Sequence, residues 1–591
     1  MADQLASSPT PHTFLTRNPV HSLPKPHGGK LCELLLKDEA LEALNLESIH
    51  YPSMMVTDRQ ECDLEMLLNG GFSPLTGFLN QEDYESVVEN CRLANGTVWP
   101  MPITFDVSEA KAAEFKVGDH IALRNAEGNL LAVLDVESKY KPDKEVEAVK
   151  VFGKNDRAHP GVDYLFGTAG DWYLGGTIRG AQLPVHYDYM DIRRTPAELR
   201  AFFVKMAYTR VVGFQTRNPM HRSHRELTIR AATSRKATVL IHPVVGMTKP
   251  GDIDAFTRVR AYKAMLNHYP TDMATLSLLP LAMRMAGPRE AVWHSIIRVN
   301  YGCTFFIVGR DHAGPGPDSE GNDFYGAYDA QVMAEKYAPE IGIEILTFSH
   351  MVYVPERAEY RTLDELEEGM VPKNISGTEL RRRLYLGISI PEWFSYPDVV
   401  AILRSTYRPR EKQGFTVFFT GLSGSGKTTL ANSLRVRLLQ EGSRSVELLD
   451  GDVVRTHLSS ELGFSKEHRD LNIRRMGFVA SCITKAGGVA ICCAIAPYRG
   501  ARQEVKKMVE ESGGGFILVH VSSPLSFCEG NDVKGLYKKA RAGMIKGFTG
   551  IDDPYEEPSN PDITIDASQC TVRQGVMEIL LQLEMEGYMM K

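Results

Sequence analysis

Residues 209–227 read TRVVGFQTRNPMHRSHREL, and the change of texture inside them sets the fold. Thr209 to Phe214 is a short apolar run of buried-strand type, and the polar residues beyond it lead into Leu227 and Ile229 at helical spacing. A strand passing directly into a helix is half of a parallel βαβ unit. Asn218 is a strong N-cap and Pro219 suits a first helical position, so the spacing predicts a helix beginning here with free N–H groups turned to an anion. His221 and His224 then fall on one face, beside Gln215 and Arg217 from the preceding loop. Each of these alone is an ordinary surface polar residue; the five together form a set suited to nucleotide phosphates. HRSH lacks the spacing and the glutamate of HExxH, and no cysteine lies nearby, which speaks against zinc.

The same texture continues outward. Ala237 to Pro243 and Thr304 to Val308 read as further strands with helical stretches between, the signature of a doubly wound parallel sheet. Ligands sit beyond the carboxyl ends of such strands. There the chain carries Val244 to Lys249, Met283 to Arg289 and Gly309 to Gly314, each combining glycine with a cation, as phosphate or sulfate binding requires. Before this sheet, Leu31 to about Arg179 holds the helical Asp58 to Leu68 and the alternating runs Trp99 to Asp106, His120 to Leu123 and Leu130 to Glu137. Asn95-Gly96 and Glu127-Gly128 punctuate them as hairpin turns, giving a small β-rich, barrel-like domain. Downstream, Ser376 and Glu379 stand at capping-box spacing before the Arg381 to Arg383 triplet, read as a solvated helix face.

After a polar linker near Ser405 to Gln413 a second unit starts. Phe415 to Thr420 is strand-like and runs into Gly421, Leu422, Ser423, Gly424, Ser425, Gly426, Lys427, Thr428 and Thr429 and then a helix to about Leu439. This is a complete GxxxxGK[ST] phosphate loop in its strand-to-helix setting, with Lys427 for the terminal phosphates and the Thr428 hydroxyl for Mg²⁺. The strand Ser445 to Leu449 ends in Asp450-Gly451-Asp452, placing a carboxylate opposite that loop as a proton acceptor or magnesium partner. Arg455, Phe464, Arg469 and Asn472 suit an acceptor with an anionic group and a stackable base. Val489 to Ile495 and Phe516 to Val521 complete a parallel core. Asp532 to Arg541, with Lys534, and Lys546 to Asp552, with Phe548, read as a cationic lid.

Of 591 residues, 43% are hydrophobic and 24% charged, as in a soluble globular protein of roughly four domains. The formal charge of −7 gives no case for a nucleic-acid or membrane-surface protein. Nine cysteines without CxxC pairs fit a reducing cytosol. No apolar run has transmembrane length, and the first twenty-five or so residues read as an extended arm without a secretory signal, leaving organellar import open.

Residues from about 30 to 395, through QTRNPMHRSH, HPVVGMTK, MRMAGPREAVWH, GRDHAGPG and ISGTELRRRL, resemble ATP sulfurylase. Those from about 411 onward, through GLSGSGKTT, LLDGD, GFSKEHRDLNIRR, KGLYKKARAG and KGFTGIDDPYE, resemble adenylyl-sulfate kinase. The resemblance implies four parts: a PUA-like β-rich domain over 1–188, a Rossmann-like nucleotidyltransferase domain over 189–345, a small connecting domain over 346–405 and a P-loop kinase over 406–591. It implies that Gln215, Arg217 and the Ala313 N–H hold sulfate, that His221 and His224 stabilise the breaking phosphate linkage, and that Asn218 and Arg289 orient the triphosphate of MgATP. In the kinase it implies substrate contacts at Arg455, Phe464, Arg469, Asn472, Ile495, Lys534 and Phe548, a phosphate loop at Gly421 to Thr429, and Mg²⁺ held through ATP near Thr428 and Asp452. No other cofactor is implied. The substrates would be ATP, sulfate and adenylyl sulfate, and the chain a homo-oligomer such as a hexamer. Sulfurylase-first order is similar to that of fungal enzymes whose terminal domain is a degenerate, product-binding sensor, so a monofunctional sulfurylase is the alternative. Lys427, Thr428 and Asp452 favour a working kinase; Val453 and Ala496 depart from residues common in that family, an asparagine and a serine.

Overall fold

The computed structural model describes residues 22–249 and 252–589, so the N-terminal arm read from the sequence lies almost wholly outside the described residues. Contacts divide the chain into two units, one running to Ile375 together with Pro391–Leu403, the other Ser376–Ile390 together with the chain from Arg404 onward. The stretch 346–405 therefore contributes to both.

The first unit contains two sheets. Strands β1 (Ser53–Met55), β2 (Gly77–Phe78), β3 (Phe105–Val107), β4 (His120–Arg124), β5 (Leu130–Tyr140) and β6 (Trp172–Gly180) form a six-stranded sheet in the order β1-β4-β5-β6-β2, with β3 pairing β6. The Glu127-Gly128 turn joins β4 to β5 as a hairpin, Gly128 supplying a φ of 84°. Most of the strand expected over Trp99 to Asp106 is irregular, and only Phe105–Val107 joins the ladder. Pro100 and Pro102 lack the N–H groups a ladder needs, so this buried stretch packs without pairing.

Strands β7 (Val211–Phe214), β8 (Thr238–Ile241), β9 (Ala274–Leu276), β10 (Phe305–Val308) and β11 (Glu344–Thr347) make a parallel sheet in the order β11-β10-β7-β8-β9. All four residues of β7 are buried at its centre. One hydrophobic core serves both sheets: Phe72 packs against Trp99 of the first layer and Trp293 of the second, with ring centroids 5.8 and 5.2 Å apart. Truncating any of these rings would cost about 3–5 kcal/mol. A two-stranded ribbon, β12 (Met351–Val354) with β13 (Glu359–Thr362), completes this unit's strands among the described residues.

In the second unit β14 (Phe415–Thr420), β15 (Val446–Asp450), β16 (Val489–Cys493), β17 (Gly515–Val521) and β18 (Ile563–Ile565) form a parallel sheet in the order β15-β16-β14-β17-β18. Apolar clusters cover both of its faces. The helix Gly377–Tyr385 is capped by Ser376, which accepts from the Glu379 N–H at 3.2 Å, while Arg382 and Arg383 both pair with Glu379.

The helix after β7 starts later than its sequence predicts, spanning Arg222–Arg235 with His221 at the N-cap. The Asn218 carbonyl cannot open a helix because it already accepts from the Thr216 and Tyr262 hydroxyls, each at 2.8 Å. The Arg222 N–H that would have bonded to it donates instead to the Phe394 carbonyl at 3.1 Å.

Candidate functional site

The first site lies at the carboxyl ends of β7, β8 and β10, where adjacent strands deliver their loops to one edge. His221 is buried, its Nδ1 3.1 Å from the Ser395 hydroxyl and its ring centroid 4.4 Å from that of Phe394. The His224 ring is 6.0 Å away and its Nδ1 accepts the His221 backbone N–H at 3.1 Å. Burial pushes the two imidazoles down to about 3 and about 4, with neighbouring imidazoles adding to the effect, so both are neutral at pH 7. Arg217 pairs with Asp252 at 2.5 and 2.6 Å, and Gln215 points inward to Arg298 at 2.6 Å. Asn218 is exposed at the rim.

Asp311 and Ala313 hold left-handed φ angles of 52° and 54°, and Met285 one of 62°, uncommon for residues with a Cβ and concentrated in the loops after β9 and β10. The Ala313 carbonyl accepts from Gly287 at 3.3 Å, and among the described residues its N–H has no partner. Lys249 ties the loop after β8 to the Pro315 carbonyl at 2.5 Å.

Arg289 does not fit the role expected of it. It is buried, and its guanidinium donates to the carbonyls of Val87, Val88 and Pro100 at 2.9, 2.7 and 3.2 Å. Those bonds pin the helix Gly287–Asn300 onto the β-rich layer, so the side chain is a structural anchor and is not free to reach a triphosphate. Arg310 stands instead at the end of β10, its side chain 48% exposed and its ion pair made with the adjacent Asp311 at 3.1 Å. Asp252, Ser395, Arg298 and Arg310 thus join the site without having been singled out in the sequence. Of these, only Arg310 lay inside a segment already marked by its glycine and cation pattern.

The second site surrounds the phosphate loop between β14 and the helix Lys427–Glu441. Gly421, Gly424 and Gly426 have φ of 150°, 73° and 100°, and a Cβ on the first two would lie 2.4 Å from the Val521 carbonyl oxygen and 2.7 Å from that of Cys528. Only glycine fits there. Lys427 is buried, which lowers its pKa, and its Nζ curls back onto the Leu422 carbonyl at 2.6 Å and the Ser425 hydroxyl at 3.4 Å. The Thr428 hydroxyl makes only a weak contact to Cys493 Sγ at 3.5 Å; Thr429 faces solvent, and the Ser423 carbonyl accepts the Tyr537 hydroxyl at 2.8 Å. Ile495 contributes its carbonyl, which accepts from Thr420 at 2.7 Å, while the backbone of Ala496, at φ 45°, accepts from Arg502 at 2.5 Å.

Asp450 caps the helix Gly451–Leu458, accepting from the Asp452 N–H at 3.0 Å, and the Asp452 carboxylate is paired with Lys534. Arg455 lies over the Phe464 ring at 4.5 Å, and Phe464 is 70% exposed, an aromatic face left open to solvent. Arg469 secures the 547–553 segment through Thr549 at 2.8 Å and Asp553 at 2.6 Å, and Phe548 packs edge-on against Tyr537. Asn472 is buried with an unpartnered Oδ1.

A strand-end donor set in one unit and a phosphate loop with a facing carboxylate in the other define a nucleotide-handling transferase with two sites. Similarity to known proteins agrees. A PUA-like domain matches residues 24–183, ATP-sulfurylase residues 190–406 and adenylylsulphate kinase residues 413–566. Sulfate adenylyltransferase of Aspergillus clavatus is 55% identical over 95% of this chain and 99% of its own, and that of Chaetomium globosum 56% identical over 95% and 98%. A solved structure titled hexameric APS kinase from Thiobacillus denitrificans aligns with a TM-score of 0.80 at 38% identity, covering 96% of this chain and 100% of that one. The chain belongs to the sulfate adenylyltransferase family, with an ATP-sulfurylase domain followed by an adenylylsulphate kinase domain.

Proposed function

We propose that the protein activates sulfate in two steps. At the first site sulfate attacks the α-phosphorus of MgATP, forming adenylyl sulfate and releasing pyrophosphate. Gln215, Arg217 and the Ala313 N–H hold sulfate in line, and Arg310 takes the triphosphate role that Arg289 cannot. His221 and His224, being neutral, act as hydrogen-bond donors to phosphate oxygens as negative charge builds on the leaving pyrophosphate. At the second site the 3′-hydroxyl of adenylyl sulfate attacks the γ-phosphorus of another MgATP, giving the 3′-phosphorylated product and ADP. Lys427 and the phosphate-loop N–H groups hold the phosphates, the loosely bonded Thr428 hydroxyl is available to the nucleotide's magnesium, and Asp452 receives the hydroxyl proton once Lys534 releases it. The sulfate-phosphate anhydride is high in energy, so the second transfer draws the first forward.

The observation that carries this reading is the presence of the strand-end donor set and an unbroken phosphate loop with Lys427 and Asp452 in one chain. Pyrophosphate release should require sulfate and fall at least ~10²-fold in Arg217→Ala. Lys427→Ala should abolish ADP formation from adenylyl sulfate and ATP while sparing pyrophosphate release. Release indifferent to sulfate, or a wild-type chain that forms no ADP, would overturn the proposal. The nine cysteines, all thiols, suit a reducing compartment such as the cytosol, and among the described residues no helix is long and apolar enough to cross a membrane. Self-association, possible as the hexamer named for the Thiobacillus relative, is part of the proposal and is read by light scattering.

A further inference from the structure

Behind Gln215 lies a polar cluster that the roles above leave unused. The helix Gly287–Asn300 is buried along its length, yet it carries Glu290, His294 and Arg298, all withdrawn from solvent. A buried guanidinium ordinarily has a carboxylate partner. Among the described residues Arg298 has no ion pair: its Nη2 donates to Gln215 Oε1 at 2.6 Å and weakly to the His242 carbonyl at 3.4 Å, and its Nε and Nη1 have no partner.

A guanidinium has only donors, so the Gln215 carboxamide can meet it only through its oxygen. The amide nitrogen is thereby turned the other way, and it lies 3.3 Å from His294 Nε2. The other ring nitrogen of His294, Nδ1, lies 2.9 Å from His312 Nε2. Glu290 is 3.3 Å from the same His294 nitrogen, and its two oxygens also accept from the N–H groups of Arg284 and Ala286 at 3.0 and 2.7 Å. The carboxamide oxygen is therefore directed inward to Arg298, and the nitrogen edge is the one left to meet a ligand.

We infer that Arg298 is a positioning residue which, by holding the Gln215 oxygen inward, turns the carboxamide's N–H edge to the anion subsite and so favours sulfate over phosphate. The inference rests on the proposed assignment of Gln215 and Arg217 to sulfate. Sulfate at neutral pH has no proton and only accepts hydrogen bonds. Phosphate near pH 7 keeps at least one O–H, which needs an acceptor, and an unpaired donor in a desolvated pocket costs binding. Arg217 and the Ala313 N–H donate, Asp252 is held in its ion pair with Arg217, and the Gln215 oxygen is directed to Arg298, so the groups turned to the anion are chiefly donors. The uncompensated charge also raises the local positive potential, which favours a dianion.

The test measures sulfate KM and phosphate Ki through pyrophosphate release by the full chain. In Arg298→Met the ratio of phosphate Ki to sulfate KM should fall at least about tenfold, the worth of one mispaired hydrogen bond to a charged group, with ATP KM changing far less. Arg298→Lys, which keeps the charge and one donor, should restore part of the ratio. Adding Arg298→Lys to Gln215→Met should change the ratio no further, since the positioned group is gone. A purely structural role would lower the melting temperature and leave the ratio of the surviving enzyme unchanged, which overturns the inference while leaving the sulfate assignment standing. If Gln215→Met does not move sulfate KM, the assignment fails and the inference with it. Should Arg298→Met not fold, Arg298→Lys and its double variant decide, and an unchanged ratio again overturns the proposal.

Discussion

His221 and His224 show how a residue's surroundings decide its chemistry. A phosphate oxygen offers only lone pairs, so in the proposed role it would select the His221 tautomer that carries the proton on Nε2, with the Ser395 hydroxyl donating to Nδ1. Their folded pKa values of about 3 and about 4 lie below the ordinary 6.5. Between those limits the unfolded chain binds protons that the folded chain refuses. The stability they contribute is thus fully present above pH 6.5 and is lost as the pH falls toward 4 for His224 and toward 3 for His221. Melting temperature should decline through that window, and His221→Asn and His224→Asn should each make the decline shallower by up to one proton. A slope equal to that of the wild-type chain would mean the ring is charged in the fold. The sequence placed these two histidines in the site but said nothing of their charge, because Phe394 and Ser395, which bury and orient His221, arrive from 170 residues away without a pattern that announces them.

At the scale of elements, the phosphate loop was the most legible part of the molecule. Its glycines, lysine and threonine act through backbone geometry fixed within nine residues, so local spacing is enough to read them. Gly421→Ala should push a Cβ into the Val521 carbonyl and shift the loop, reducing ADP formation at least ~10²-fold while leaving sulfate-dependent pyrophosphate release intact, as paired assays on one preparation would show. The helix after β7 was read correctly in kind and wrongly in its start. Asn218 has the right chemistry for a cap, but Tyr262 from another helix takes its carbonyl, and no local rule foresees that competitor. The strand expected from Trp99 failed for a reason that was local, since its two prolines were in plain view.

For the whole molecule, the misread residue is Arg289. A cation in a glycine-containing stretch at a strand end looks like a phosphate ligand, and burial, which alone decides otherwise, is a property of the assembled fold. Arg289→Met should take a donor from three buried carbonyls, of which only that of Val87 keeps another in the Cys91 N–H, and destabilise the protein by about 3 kcal/mol. Denaturant unfolding would measure this, while the ATP KM of the folded variant should stay near that of the wild-type chain. A large rise in that KM would return Arg289 to the triphosphate. The ordering of sheets and the division into a sulfurylase and a kinase were legible because each rests on short motifs in regular strand and helix alternation. The bonds between layers were not, because they join residues about 200 positions apart.

Phe72, Trp99 and Trp293 interlock in one core that spans both the PUA-like and the ATP-sulfurylase matches. The segments that sequence comparison recognises separately are therefore not separable cassettes. Evolution can exchange a part only where few side chains cross the cut, and at residues 183–190 the cut would pass through a shared interior. The inheritable piece at this end of the chain is the pair, so the β-rich layer has to travel with the catalytic sheet it supports.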